Sequence, residues 1–254
     1  MSQWGLPSRT HDAAVPRLDR ATSLRVGWAG GWTGAGIAAL AATLASCAGL
    51  RVTAPLGWVV PFGLCVGMWL IVGQLARRHL PTGRFGPANT VTLIRAAMML
   101  ALIGPLITGE ATGRAVAMVA AVALTLDGVD GWFARRTGMA SAFGARFDIE
   151  VDAALALVLA LHAFIGTAAG AEVLALGLVR YVFVVATVLW PWLAAPLPQR
   201  WRRKAICVVQ LAALILLQWP DLHDGAAIIA ARLALALVVW SFAVDILWLR
   251  ERRA

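Results

Sequence analysis

The feature that most limits the fold of this chain is a series of apolar segments, each close in length to the thickness of a bilayer. A helix needs roughly 20 apolar residues to cross about 30 Å of hydrocarbon. The sequence offers eight such segments with short polar breaks between them: 26–50, 56–76, 90–108, 113–126, 147–166, 171–195, 205–219 and 226–249. We therefore predict an all-α fold, a polytopic transmembrane helical bundle of about eight spans embedded in a lipid bilayer. The fourth segment is short, but its helix-compatible sequence continues through Arg136.

Composition supports a membrane protein rather than a soluble one. Hydrophobic residues make up 61% of the 254 and charged residues only 14%, with a mean hydropathy of +0.78. The net charge of +9 does not indicate nucleic acid as a partner, because the basic residues form short clusters between apolar segments. Cys47, Cys65 and Cys207 lie within apolar segments without paired spacing, so neither a disulfide framework nor a zinc site is predicted.

The distribution of basic residues predicts the orientation of the bundle. They gather before the first segment and after the second, fourth, sixth and eighth: Arg9, Arg17, Arg20, Arg25, Arg77, Arg78, Arg84, Arg135, Arg136, Arg200, Arg202, Arg203, Lys204, Arg250, Arg252 and Arg253. Short cytoplasmic loops retain Lys and Arg. We therefore predict a multi-pass protein of the cell inner membrane with both termini and a polar cavity on the cytoplasmic side.

The first 25 residues form a polar leader before the first span. This leader mixes Arg with scattered apolar residues, which suits either a disordered tail or a segment lying on the anionic cytoplasmic leaflet. The tetrapeptide ending at Cys47 resembles a lipoprotein processing site. The alternation of charge over eight spans requires this segment to stay, which favours a membrane helix.

Acidic residues and small residues recur at helical spacing around the break between the fourth and fifth spans. Positions three and four apart share one face of a helix. One face of the fourth helix therefore carries Asp127, Asp130, Gly131 and Ala134, and one face of the fifth carries Asp148 and Asp152. Four carboxylates close together near hydrocarbon repel one another and are costly to desolvate unless cations neutralise them.

Divalent cations are the natural counter-ions for such a cluster. Oxygen ligands without nearby His or Cys favour Mg²⁺ or Mn²⁺. Two metal ions about 4 Å apart can stabilise both oxygens of an in-line phosphoryl displacement. Small residues at Gly131, Ala134 and Gly144 would let a bulky substrate approach the backbone, and Arg135 offers a charged fork for a phosphate. These residues together predict a metal-dependent phosphotransfer site.

This segment resembles the signature of the CDP-alcohol phosphotransferase family, D-x-x-D-G-x-x-A-R-x8-G-x-x-x-D-x-x-x-D. Every fixed position is present between Asp127 and Asp152. The resemblance implies that a substituted phosphoryl group passes from a CDP-linked donor to an alcohol, releasing CMP. It also implies a homodimer. Residues 85–254 resemble the six-span core of the family, which makes the two helices of residues 26–76 an N-terminal addition.

The resemblance also implies roles for the individual residues of the signature. Asp127, Asp130 and Asp148 would bind the metal pair, and Asp152 would contribute to that site and act as general base for the acceptor hydroxyl. The cytidine nucleotide would be held by Gly131, Ala134, Arg135 and Gly144. Family members often carry an Asn-x-x-Thr-x-x-Arg pattern at the start of the preceding span. Here Asn89, Thr92 and Arg95 match it.

Three hypotheses for the function follow. The leading one is a phosphatidyltransferase with CDP-diacylglycerol as donor and a small polar alcohol or sugar phosphate as acceptor. A second reverses the sizes, with a CDP-aminoalcohol donor and a diacylglycerol acceptor. A third, a divalent-cation transporter, uses carboxylates on facing helices. The predicted position of the acidic cluster at cytoplasmic helix ends, rather than at mid-membrane, argues against the transporter.

Residues outside the signature give few clues to the acceptor. Arg180 lies within the sixth span, where a charge faces either a polar pocket or an ion-pair partner. Arg202, Arg203 and Lys204 lie at the predicted cytoplasmic face and could bind a phosphate or simply follow the positive-inside rule. Family members that use glycerol phosphate often carry Pro and Lys where this chain has Ile149 and Ala153, which argues against that acceptor.

Overall fold

The computed structural model of the protein describes residues 20–79, 85–109, 113–137, 141–195 and 201–251, with the side chains of all these except 20–30 and 129–137. Within these residues the chain forms nine α-helices and one 3₁₀ helix, and no strand. The helices are α1 Arg20–Gly49, α2 Leu56–His79, α3 Pro87–Ala101, α4 Ile103–Thr108, α5 Arg114–Thr137, α6 Ala142–Gly166, α7 Val173–Leu189, α8 Trp201–Leu216 and α9 Asp224–Glu251, with the 3₁₀ helix at Pro191–Ala194. Residues 1–19 of the predicted leader lie outside the described residues.

The prediction of an all-α polytopic bundle is confirmed. Five helical stretches of the described chain are long and apolar enough to cross a membrane: Gly31–Gly49, Leu56–His79, Pro87–Thr108, Ala142–Gly166 and Asp224–Glu251. Helix α7 is apolar but shorter, α8 has 16 residues, and α5 ends in the charged motif. The number of eight crossings therefore stays a prediction, although each predicted segment is helical over most of its length.

The third predicted segment is not one continuous helix, because α3 ends at Ala101 and α4 begins at Ile103. Pro105 has no N–H to donate to the carbonyl four residues earlier, which weakens the helix at this point. The imidazole Nε2 of His162 lies 2.8 Å from the carbonyl oxygen of Leu102. His162 of α6 therefore supplies a hydrogen-bond donor to the Leu102 carbonyl, between the end of α3 and the start of α4.

Helix α3 lies inside the bundle and packs against α1, α2, α5 and α6. Its span, Pro87–Thr108, is the most buried of the five candidate membrane spans. On one side, aliphatic residues of α5 and α6 form the main core with α8 and α9. On the other side, α1 and α2 contact α3 through a second cluster, called here the Trp32 cluster: Trp32, Ala35, Ala39, Cys65, Val72, Ala76, Phe85, Leu93 and Ala97.

Aromatic rings fix the position of α1 and α2 in the Trp32 cluster. The rings of Trp32 and Trp69 stack with centroids 5.3 Å apart, and Phe85 meets Trp32 edge-on at 5.2 Å. Phe143 and Phe147 of α6 pack against the same cluster. The two N-terminal helices therefore contact two of the helices that carry candidate site residues, α3 directly and α6 through its phenylalanines.

Candidate active site

Three helices bring the candidate site residues together at one end of the bundle. Arg95 lies eight residues after the start of α3, Asp148 lies six residues after the start of α6, and Asp127 lies ten residues before the end of α5. At 1.5 Å per residue these positions are about 9 to 15 Å from the helix ends. The site therefore lies below the bundle surface, at the end where α3 and α6 begin and α5 ends.

The Arg95 guanidinium lies between three aspartates and pairs with all of them. Its Nη1 lies 3.0 Å from Oδ1 of Asp127 and also donates to Oδ1 of Asp148, while Nη2 donates to Oδ1 of Asp152. Its Nε donates to the carbonyl oxygen of Ala123 at 3.0 Å. The Arg95 side chain is 1% exposed and that of Asp148 is 33% exposed, so the cluster opens to solvent on the Asp148 side.

The three aspartates fit a divalent metal site. One carboxylate oxygen from each of Asp127, Asp148 and Asp152 lies within 4.8 Å of the others. Oxygen-only donors of this kind suit hard cations such as Mg²⁺ and Mn²⁺. A positively charged guanidinium already occupies the space among these oxygens. The arrangement therefore accepts positive charge at the point where the sequence predicts a metal.

Asn89 at the start of α3 lies against Gly144 at the start of α6. A Cβ atom on Gly144 would lie only 2.7 Å from Oδ1 of Asn89 and 3.2 Å from Oγ of Ser141. Ser141 caps α6, because its Oγ accepts a hydrogen bond from the backbone N–H of Gly144 at 3.0 Å. The absence of a side chain at residue 144 allows this contact. Thr92 is buried one turn before Arg95, and its hydroxyl donates to the carbonyl of Ala88 at 3.1 Å.

Four predicted site residues lie on the last turns of α5, where the side chains are outside the described residues: Asp130, Gly131, Ala134 and Arg135. Their backbone is helical as predicted, since α5 continues to Thr137. The structure brings Asp127, Asp148, Asp152 and Arg95 into contact, and it places Asn89 against Gly144. The contacts of the other four residues remain predictions.

The sequence did not predict which side chain lies next to Asp152. The Sγ atom of Cys207 on α8 lies 4.0 Å from Oδ2 of Asp152, so α8 contributes to the wall of the site. A single cysteine within an apolar segment carries no signal of this contact. The backbone carbonyl of Ala123 is a second unpredicted neighbour, because any residue type can supply it.

The cationic residues suggested for an acceptor have acidic partners in the structure. Arg180 of α7 pairs with Glu150 of α6. Glu150 therefore faces α7, on a different side of α6 from Asp148 and Asp152. Arg202 of α8 pairs with Asp245 of α9 at 2.6 Å and donates to the Ser241 hydroxyl at 3.0 Å. Arg203 lies 3.8 Å from Asp245. These ion pairs join α6 to α7 and α8 to α9 around the site.

Comparisons with known proteins address the family of the chain. Searches among curated proteins and among solved structures found no significant match. A family model described as CDP-alcohol phosphatidyltransferase matches residues 85–244, which is more than half of the 254 residues. The match begins just before α3 and ends within α9, so it includes the helices that carry Arg95 and the aspartates and leaves α1 and α2 outside. The chain therefore belongs to the CDP-alcohol phosphatidyltransferase family.

Proposed function

We propose that this membrane protein transfers a phosphatidyl group from CDP-diacylglycerol to a small polar alcohol or sugar phosphate, releasing CMP in phospholipid biosynthesis. The observation that carries the proposal is the convergence of Asp127, Asp148 and Asp152 within the segment that matches the family model. Transfer of a substituted phosphate group is the chemistry of the family. The donor, the acceptor and the roles of individual residues are our proposal.

The proposed metal site consists of Asp127, Asp130, Asp148 and Asp152 holding two Mg²⁺ or Mn²⁺ ions. When bound, such ions neutralise charge on the phosphates and stabilise the entering and leaving oxygens. The chain itself supplies the geometry. Asp127 comes from α5, whereas Asp148 and Asp152 come from successive turns of α6, so the ligands are held on rigid helices rather than on loops.

Asp152 is the proposed general base for the acceptor hydroxyl. Arg95 donates to its Oδ1, whereas its Oδ2 faces the thiol of Cys207 at 4.0 Å. A thiol is a weak donor, so Oδ2 keeps its capacity to accept a proton. An alcohol is a poor nucleophile until a positioned base takes its proton, which is the step that this oxygen would perform.

Nucleotide binding is proposed for Gly131, Ala134, Arg135 and Gly144, with support from Asn89, Thr92 and Arg95. The contact of Gly144 with Asn89 leaves no room for a Cβ atom, so glycine at this point of α6 lets the Asn89 amide lie directly against the backbone. Arg135 would pair with a phosphate of the donor, since guanidinium forks bind phosphate oxygens well.

The depth of the site favours a lipid-linked donor. The aspartates lie about 9 to 15 Å below the helix ends, and the outer faces of the helices expose large apolar side chains. A donor with a water-soluble nucleotide and a diacylglycerol tail would place its diphosphate at this depth while its acyl chains remain among lipids. This geometry supports CDP-diacylglycerol as the donor.

The proposed location is the inner membrane, with the site and both termini in the cytoplasm. The end of the bundle that carries the site also carries the basic residues in the last turns of α2, α5 and α9 and in the first turn of α8. Short cytoplasmic loops retain such residues. We also propose a homodimer by family resemblance, with α1 and α2 as an addition to the six-span core.

A panel of acceptors tests the proposed reaction. Purified protein is supplied with labelled CDP-diacylglycerol, Mn²⁺ and, in turn, inositol phosphate, glycerol phosphate, serine or phosphatidylglycerol, and CMP release is measured. We expect CMP only in the presence of one acceptor class, and none when a chelator is present. CMP release from a CDP-aminoalcohol with diacylglycerol would support the reversed reaction instead. A lack of CMP with either donor would contradict the proposed transfer.

A further inference from the structure

Arg95 occupies the centre of the proposed metal site. Its side chain is 1% exposed, and its guanidinium contacts carboxylates from two other helices. A buried cation of this kind is stable only when anions compensate its charge, and the buried carboxylates have the same need. In this arrangement Arg95 and the three aspartates neutralise one another in part.

The guanidinium and a metal ion would both bind carboxylate oxygens of the same three residues. Nη1 of Arg95 lies 3.0 Å from Oδ1 of Asp127, and the guanidinium donates to Oδ1 of Asp148 and of Asp152. These three residues each contribute one carboxylate oxygen to the set that lies within 4.8 Å. Mg²⁺ binds carboxylate oxygens at about 2.1 Å, which is shorter than the 3.0 Å between Nη1 and Asp127. A metal ion bound to these oxygens would lie against the guanidinium, and two like charges at that distance in a largely buried site repel strongly.

We propose that Arg95 is the internal counter-ion of the metal site: it neutralises the three carboxylates without metal, and its guanidinium leaves their Oδ1 atoms when divalent cations bind. The inference rests on the proposed function, because it takes these aspartates as metal ligands. Metal would bind only the state in which the guanidinium has left the carboxylates. When that state is only partly populated, the apparent affinity for metal is lower than the affinity of a site without the competing guanidinium. Arg95 therefore lowers the affinity of the site for metal while it keeps the metal-free protein folded.

If Arg95 instead supported the metal ligands, its removal would change the metal affinity in the opposite direction. An arginine that orients metal ligands from outside the coordination sphere strengthens metal binding, and its removal weakens affinity by about 10- to 100-fold. An arginine that competes with the metal weakens binding, so its removal strengthens affinity. The direction of the change in Kd for a metal ion thus distinguishes a competing counter-ion from a supporting residue.

The experiment is a titration of the full-length protein in detergent with Mn²⁺ and no nucleotide, with free Mn²⁺ measured by electron paramagnetic resonance. Wild type is compared with Arg95→Gln, and with Arg202→Gln as a matched control in which a different carboxylate loses its arginine partner. We expect the Kd of Arg95→Gln to fall by about tenfold or more, since the competing cation is gone, and that of Arg202→Gln to stay at the wild-type value.

Each other outcome has a defined meaning. An unchanged or higher Kd in Arg95→Gln overturns the counter-ion role while the metal site stands, and so does an equal fall in Arg202→Gln. If neither wild type nor any variant takes up Mn²⁺, the proposed metal site itself fails along with this inference.

Arg95→Lys covers the case in which Arg95→Gln does not fold. The lysine keeps the charge, but a single ammonium group cannot reproduce the fork that bridges three carboxylates. We expect Arg95→Lys to bind Mn²⁺ more tightly than wild type and to gain more thermal stability from Mn²⁺ over chelator, because its metal-free cluster is less well compensated. Binding equal to or weaker than wild type would overturn the proposal.

Discussion

Asp148 and Glu150 are two residues apart on α6 but face different partners, which makes them a matched pair at the residue scale. Asp148 pairs with Arg95 in the acidic cluster, whereas Glu150 pairs with Arg180 of α7. We expect Asp148→Asn to lower CMP release by at least about 100-fold, because metal stabilisation of phosphoryl charge contributes several kcal/mol. Glu150→Gln should retain most of the activity. Comparable losses in both variants would show that α6 tolerates no change of charge and would remove the specific role of Asp148.

Gly144 is the second residue whose environment makes a definite prediction. A Cβ atom there would meet the buried Asn89 amide at 2.7 Å, so Gly144→Ala must displace either Asn89 or the start of α6. We expect a clear loss of activity, largely through a raised KM for the CDP-linked donor, with the protein still folded. Gly63→Ala on α2, where no atom lies within 4 Å of the added Cβ, is the control and should match wild type. Kinetics of both variants in the same detergent provide the measurement.

At the element scale, α1 and α2 pack against α3, the helix that carries Arg95. Gly73 of α2 lies so close to the Trp32 ring that an added Cβ would come within 3.0 Å of three ring atoms. We expect Gly73→Val to destabilise the protein by about 1 to 3 kcal/mol, the usual cost of overpacking, and to reduce activity as α3 shifts. Gly67→Val on the same helix meets no atom within 4 Å and should be nearly neutral in thermal unfolding. Equal Tm values for the two variants would show that the Trp32 cluster does not hold α1 and α2 in place.

The same scale shows what a sequence pattern can and cannot predict. Each of the eight apolar segments is helical over most of its length, because long apolar runs with polar breaks leave the backbone few other ways to satisfy its hydrogen bonds in lipid. The break at Leu102 was not predicted, since Pro105 is compatible with a kinked helix as well as with a broken one. The contact of His162 with the Leu102 carbonyl joins residues 60 positions apart, and helical periodicity carries no information about such partners.

The sequence likewise predicted some of the contacts in the site but not others. Helical spacing placed Asp148 and Asp152 on one face, and the family signature joined them to Asp127. The spacing could not show that Arg95, from the third segment, pairs with all three. That contact depends on the packing of α3 against α5 and α6, which is a property of the assembled bundle. Cys207 is near Asp152 for the same reason.

At the scale of the whole molecule, the two ends of the bundle differ in charge and in chemistry. The end with the acidic cluster carries the clusters of basic residues. The opposite end carries ion pairs, such as Arg114 with Asp221 and Arg232 with Glu172. CDP-linked donors are cytoplasmic metabolites in the proposed reaction, so the site must face that compartment. Orientation is therefore a test of function as well as of topology.

Cysteine labelling in intact cells measures this orientation. Arg78 at the end of α2 and Thr53 in the loop before α2 are both exposed and lie at opposite ends of the same helix. We expect Thr53→Cys to react with a membrane-impermeant maleimide from outside the inner membrane, and Arg78→Cys to react only after permeabilisation. The wild-type protein gives the background labelling of Cys47, Cys65 and Cys207, of which the first two are buried. The reverse pattern would place the acidic cluster outside the cytoplasm, where neither the basic clusters nor a CDP-linked donor would be expected.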